Sequence, residues 1–374
     1  MPMVPKPSSA RHNSLMRRSP RSPRHSRGPI PAGPGAGVAP SRWPLALGIA
    51  AGVAADALLG DPRRGHPVAA FGRAAAALEA RDYADSRLRG AAHTAICVLA
   101  VAVPAALLHR RARRGPRLAE VAAVGCTVWA VTGARSLRHE AERAADALEK
   151  NDLPAARNVL PSLCGRDPSE LTAVEITRAI IESVAENTSD AVVAPLLWGA
   201  LAGLPGLTAY RAVNTLDAMV GHRSARYLKF GWASARLDDV ANWLPSRVTA
   251  ALTAACAPLV AGSRQPAAAG PGAPTVAGGS PAATLRAVRR DGGHHPSPNA
   301  GWCEAAFAGA LGVRLGGTNV YAGVAEMRPE LGEGDLPEPA DIRRAILLSR
   351  AVTVSAAALA MLVALEPFTV GTGN

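Results

Sequence analysis

Uncharged stretches recur along the chain from residue 43 onward. Trp43–Ala55, Ala91–Leu108, Val121–Ala134, Ala191–Tyr210, Val248–Ser263 and Ala351–Leu365 contain no Lys, Arg, Asp or Glu. Crossing the hydrocarbon core of a bilayer takes about 20 helical residues, and about 17 is near the lower limit. Ala191–Tyr210 reaches that length, Ala91–Leu108 comes close, and the others are marginal. Buried Ala-rich helices of a soluble protein would explain an isolated run. Their recurrence instead predicts an all-α fold: a multi-span helical integral membrane protein with polar helical segments between the apolar helices.

The polar intervals are helical in pattern as well. Ser136–Lys150 is charged and Ala-rich, and Asp167-Pro168-Ser169-Glu170 reads as a helix start, with an N-cap Asp, Pro at the first position and Glu at the third. No strand alternation persists anywhere. Four segments follow. Residues 1–42, rich in Arg, Ser, Pro and Gly, form a disordered basic arm; 43–262 form a membrane-embedded helical region; 263–283 are a flexible Pro/Gly/Ala linker; 284–374 are a C-terminal helical region. The stretch His109–Arg117 holds five arginines, so the positive-inside rule puts it, like the basic arm, in the cytoplasm. Two spans, Trp43–Leu59 and Ala91–Leu108, reconcile the pair.

Composition narrows the function. The formal charge of +12 is concentrated in the arm, where residues 1–42 carry eight Lys/Arg and no acid. The rest is near balance, and with aromatics at 4% there is little to stack on bases, so a nucleic-acid groove is not expected. The five cysteines lie far apart without a CxxC, which suggests neither a disulfide framework nor a zinc ribbon.

Three polar clusters are candidates for chemistry. At helical spacing Glu175, Arg178, Glu182 and Glu186 share one face, with Ile176, Ile180, Ile181 and Val184 opposite, and Asn187 and Asp190 extend the polar set. Such carboxylates suit Mg²⁺ and its phosphates; a solvated face with i,i+4 ion pairs has the same spacing. Beyond the longest apolar run, Arg211, Asn214 and Asp217 step by three, and Asp238 shares a face with Asn242 beside Asp239. Ionisable groups at a membrane boundary are costly unless paired or functional. The third cluster is the Gly-rich loop before Ser297-Pro298, which feeds a helix N-terminus that caps itself or receives an anion. His294–His295 lacks other spaced metal ligands, and no Walker motif is present.

Together these segments resemble the CobD/CbiB family of cobalamin biosynthesis. The resemblance is carried by Asp56-x-x-x-Gly60-Asp61-Pro62, His66-Pro67-Val68, Gly165-Arg166-Asp167, Arg178-x-x-x-Glu182-Ser-Val-Ala-Glu186-Asn187-x-x-Asp190 and Tyr210-Arg211-Ala-x-Asn214-Thr215-Leu216-Asp217. It continues through Ala235-Arg236-Leu237-Asp238-Asp239, His295-x-Ser297-Pro298-Asn299-Ala300-Gly301 and Leu315-Gly316-Gly317, and covers roughly residues 45–365. Cys303 and Thr318 stand where the family pattern has Pro, the linker is longer, and the arm has no counterpart.

The resemblance implies an ATP-dependent ligase in the cell membrane, multi-pass. It would join (R)-1-aminopropan-2-ol or its O-phosphate to a propionate of adenosylcobyric acid, with ATP and Mg²⁺ and no tightly bound cofactor. Other cobalamin-assembly membrane enzymes are expected partners beside the lipid bilayer, and nucleic acid is not. By the same resemblance Glu182, Glu186 and Asp190 are catalytic. Arg166, Arg178, Asn187, Arg211, Asn214, Lys229, Arg236, Ser297 and Asn299 bind substrate or phosphate, and Asp217, Asp238 and Asp239 hold metal. A non-catalytic sensor resembling the AmpE proteins and a transporter are the competing classes. A single site would require Ala191–Tyr210 to be broken near Gly203–Gly206, with both ends facing the cytoplasm, where ATP is.

Overall fold

A computed structural model of the protein describes residues 42–61, 65–261, 278–321 and 324–366. The basic arm up to residue 41, and 262–277 of the linker, lie outside the described residues. Helix α1 (Trp43–Leu59) packs on α4 (Arg117–Val131), and the sequence Gly48-Ile-Ala-Ala-Gly52 is the reason. A Cβ at Gly48 or Gly52 would lie 2.5 or 2.4 Å from Val124 or Val128. Only glycine at that spacing lets the two backbones come so close, the usual solution where lipid supplies no hydrophobic drive between helices. Between them run α2 (Pro67–Asp82), capped by the His66 ring accepting from the Val68 N–H, and the long α3 (Arg87–Arg114).

Helices α5 (Ala134–Glu149) and α6 (Leu153–Val159) precede α7 (Ala173–Thr188). The Asp167 start is corrected. Asp167 accepts from the N–H and hydroxyl of Ser169 in a local turn, and α7 begins at Ala173 through a reciprocal Thr172–Glu175 capping box. A short Asp can close a turn on itself as readily as it caps a helix. The apolar face of α7, including Ile176, Ile180, Ile181 and Val184, is fully buried as its spacing predicts.

A π-helical turn, Ser189–Val193, joins α7 to α8 (Ala194–Val220). The long rod then breaks at Gly203, whose φ of 66° and ψ of −153° are open only to glycine. Pro205 sits in the first turn of the second arm, where its missing N–H costs nothing. Gly206 is required too, since a Cβ there would be 2.5 Å from the Ala202 side chain. The segment is thus a hairpin, and its ends meet: the Tyr210 hydroxyl lies 3.2 Å from the Asp190 carbonyl, and Asn214 Nδ2 donates to Asp190 Oδ2 at 3.2 Å. A straight helix would hold Asp190 and Asn214 about 36 Å apart.

Helices α9 (Tyr227–Phe230), α10 (Trp232–Ala241) and α11 (Trp243–Cys256) follow, then α12 (Pro281–Asp291) and α13 (Ala300–Leu311). The start of α12 at Pro281, capped by the Ser280 hydroxyl, corrects the linker boundary of 283. Strands β1 (Leu315–Tyr321) and β2 (Val324–Leu331) form an antiparallel hairpin, which corrects the expectation of no strands. In β2, Ala325, Met327 and Leu331 alternate with Glu326, Arg328 and Glu330, but Pro329 interrupts the run and the Gly-rich β1 carries no matching pattern. Helix α14 (Pro339–Leu365) ends the described chain.

The fold is helical, and among the described residues three helical stretches, α3, α7 with α8, and α14, are long and apolar enough to cross a membrane. The runs that begin at 121 and 248 fall in α4 and α11, of 15 and 14 residues, as far as Val131 and Cys256. One end of this bundle holds the start of α1, the hairpin tip and the turn after α3. Arg42 donates to the Ala200 carbonyl at 3.1 Å, and the His109 ring fills the space beside Gly203. At the other end are Asp190, Asn214 and α10, near the start of α3, where Thr94 and Ser234 share a hydrogen bond. Two sequence expectations therefore conflict. The five-arginine turn and the acidic cluster lie at opposite ends of the hairpin, so a bundle crossing a bilayer along this axis puts them on opposite sides.

Candidate active site

Two acidic groups separate along α7. Glu182 is buried, and its oxygens are taken by an ion pair with the buried Arg166 and by the Gly316 N–H at 2.7 Å. Arg178 approaches the same carboxylate at 4.0 Å and donates to the Thr318 carbonyl at 2.7 Å. The trio Arg166, Arg178 and Glu182 thus ties the 165–167 loop and β1 to α7. Breaking such a desolvated pair leaves an uncompensated charge, so these contacts suit Glu182 to anchoring and set it apart from the other two expected catalytic carboxylates.

One turn on, Glu186 is exposed at the rim of a recess that also takes in Asp190, Asp238, Asn242, Ser246 and Ser297. The recess measures about 20 Å³, room for a single water at its floor. Asn214 Nδ2 lies between Asp190 Oδ2 at 3.2 Å and Asp238 Oδ1 at 3.4 Å, while Arg211 donates to Asn214 Oδ1 at 3.2 Å. Asn242 donates to Asp238 Oδ2 at 3.0 Å and accepts from Tyr210 at 2.8 Å. Burial lifts the Asp238 carboxyl to about 6 against the Asn242 and Asn214 hydrogen bonds, which favour the ionised form; the Asp239 charge adds to the lift.

The remaining candidates divide. Asn299 joins the recess: its Nδ2 donates to the Asp239 carbonyl at 2.8 Å, and its Oδ1 accepts from Arg247 at 2.9 Å. Ser297 accepts from the N–H groups of Asn299 and Ala300, so it caps α13 while facing the recess. Asp239 is engaged by the exposed Arg236 at 3.3 Å, and Asp217 lies half-buried one step beyond Asn214. Among the described residues no group of three or more acidic, His or Cys side chains is arranged to hold a metal ion, so the expected Asp217–Asp238–Asp239 ligand set does not form. Asp190 and Asp238 both reach Asn214 Nδ2, and one or two carboxylates are the number Mg²⁺ takes from a protein when phosphates complete its shell. Two residues stand apart. Asn187 donates back to Ser183 on its own helix, and Lys229 pairs with Asp85 at 2.7 Å on the surface.

Sequence reasoning did not select several recess residues. Ser246 continues the i,i+4 stripe that Asp238 and Asn242 begin, so spacing alone extends to it. Arg328 was out of reach without the hairpin: it stands on β2 with Nη1 2.9 Å from His295 Nε2. Nearby, burial and the charges of Glu182 and Glu186 hold the Glu304 carboxyl well above its usual range.

Fold and site define a helical membrane-type protein with an acid–amide recess where two hairpin arms meet. A family model described as CobD/Cbib protein matches residues 49–349. A protein of Mycobacterium tuberculosis named cobalamin biosynthesis protein CobD is 51% identical over 323 residues, covering 86% of this chain and 97% of its own. Namesakes from Geobacter metallireducens and Sinorhizobium fredii are 44% and 41% identical, covering 74% and 82% of this chain, and 83% and 94% of their own. The chain belongs to the CobD/CbiB family. No solved structure matches it.

Proposed function

We propose that this chain acts in cobalamin biosynthesis as an ATP-dependent ligase, joining (R)-1-aminopropan-2-ol or its O-phosphate to a propionate of adenosylcobyric acid. The observation that carries this reading is the fold-back at Gly203, which gathers Glu186, Asp190, Asn214 and Asp238 from separate motifs into one recess. Amide formation first needs an activated carboxylate. The propionate oxygen attacks the γ-phosphorus, the bond to ADP breaks, and an acyl phosphate results. The amine nitrogen then attacks the carbonyl carbon, phosphate leaves with the C–O electron pair, and the nitrogen's proton passes to a carboxylate.

Glu186, at the solvent-facing rim, is the group suited to take that proton. Asp190 and Asp238 would hold Mg²⁺, which when bound offsets phosphate charge. Arg211, bonded to Asn214, and Arg247, bonded to Ser246 and Asn299, are cations at the recess for the phosphoryl oxygens, with Arg328 beyond them on His295, and Ser297 and Asn299 would orient substrate from the start of α13.

ATP is cytoplasmic, so this reading puts the chain in the cell membrane, multi-pass, with the recess towards the cytoplasm and the 109–117 turn on the far side. That requirement outranks a statistical charge rule, because the start of α3 at the recess end is itself basic, with Arg87 and Arg89. The test is the purified protein with Mg-ATP, adenosylcobyric acid and aminopropanol phosphate, followed by mass spectrometry. The amide product together with stoichiometric ADP supports the reading; neither product forming with either amine would refute it.

A further inference from the structure

The turn between α3 and α4 holds five exposed arginines, Arg110, Arg111, Arg113, Arg114 and Arg117. Its single acid, Glu120, faces inward and meets the His109 ring at 3.4 Å. None of the five has a carboxylate partner among the described residues. They stand at the end of a helix with an exposed apolar stripe: Ile96, Leu99, Val103 and Leu107 are each at least half exposed. At helical spacing these four share one face of α3 with Arg110 and Arg114, within an arc of about 80°. The face changes from apolar to cationic between Leu107 and Arg110. Beside it, a groove of about 670 Å³ runs between the end of α3 and the start of α4. Leu107, Leu108 and Ala119 line its apolar part, and Arg110, Arg111 and Arg114 its cationic part.

We propose that this groove binds an anionic phospholipid, with an acyl chain against Leu107 and Leu108 and the phosphodiester between Arg110 and Arg114. Guanidinium forks match phosphate oxygens in pairs, and basic clusters at a span's end attract anionic headgroups. Free phosphate would meet the arginines yet leave the apolar track in water, so the lipid is the better fit. The inference is independent of the ligase reading and of which leaflet the turn faces.

The full chain, purified in mild detergent, is titrated with phosphatidylglycerol or phosphatidylcholine, and bound lipid is counted by native mass spectrometry. Selective retention of phosphatidylglycerol is expected, with affinity falling about fivefold for each arginine removed in Arg110→Gln/Arg114→Gln. The charge-matched control Arg286→Gln/Arg289→Gln, on α12, leaves retention unchanged. Equal retention of both lipids by the wild-type chain, or equal loss in the two double variants, overturns the site. If the Arg110→Gln/Arg114→Gln chain fails to insert, the wild-type titration decides alone, with inorganic phosphate as competitor. Selectivity that persists in phosphate supports the lipid, and displacement by phosphate overturns it.

Discussion

Glu182 and Glu186 occupy the same face of α7, one turn apart, yet their surroundings are opposite. Glu182 is closed in by Arg166, Arg178 and the Gly316 N–H, whereas Glu186 stands open at a recess shared with Asp190 and Asp238. Residue type and spacing are the same. What differs is what the rest of the chain brings to each carboxylate: compensating donors in one case, other carboxylates in the other. A compensated buried charge holds the fold together. Carboxylates gathered around amide donors, with no direct ion pair to Asp190 or Asp238 among the described residues, are a place where a cation or an ammonium group gains energy by binding.

The contrast is broken most severely at the anchor. Glu182→Ala takes the carboxylate from the buried Arg166, and a loss of about 3–5 kcal/mol is expected, read as thermal unfolding of the detergent-solubilised protein or as absence from the membrane fraction. Glu186→Gln should leave that unfolding curve in place and lower ligase turnover by at least about 100-fold. Glu175→Gln, on the same face, touches only the capping box, which Gln also closes, and is expected to cost at most about 0.5 kcal/mol with turnover intact. If Glu182 and Glu186 variants fail in the same way, the division between anchor and recess is lost.

Two smaller effects sharpen it. With the Asp238 carboxyl at about 6 and its charged form required, turnover falls as pH drops through about 6. Asn242→Ala removes a hydrogen bond to the ionised form, so the acidic limb of the pH–rate profile should move to higher pH. An unmoved limb would assign the titration to another group. Lys229→Ala is the smallest: an exposed pair with Asp85 is worth about 0–1 kcal/mol, and turnover is expected to stay at the wild-type level. A large rise in KM for ATP would return Lys229 to the phosphate-binding set.

Much of this was legible in the sequence because it depends on near neighbours along the chain. Apolar runs report spans through their length. Gly203, Pro205 and Gly206 report a break because they either adopt a backbone others cannot or lack the N–H a continuous helix needs. The Asp238–Asn242–Ser246 stripe was equally local, although only its first two members were noticed. The Asp167 start was misread because turn and cap use the same side chains, and packing downstream chose Thr172.

The sequence by itself determined the apolar helices, the hairpin break, the polar face of α7 and the motifs that mark the family, since each is written within a few turns of chain. Only the tertiary structure decided that Glu182 is held by Gly316 from 134 residues away, that β2 brings Arg328 to His295, and that the basic turn lies at the opposite end from the acids. Those outcomes depend on which distant donor reaches which carboxylate. A donor of that kind is paired through space, with no period along the chain to announce it.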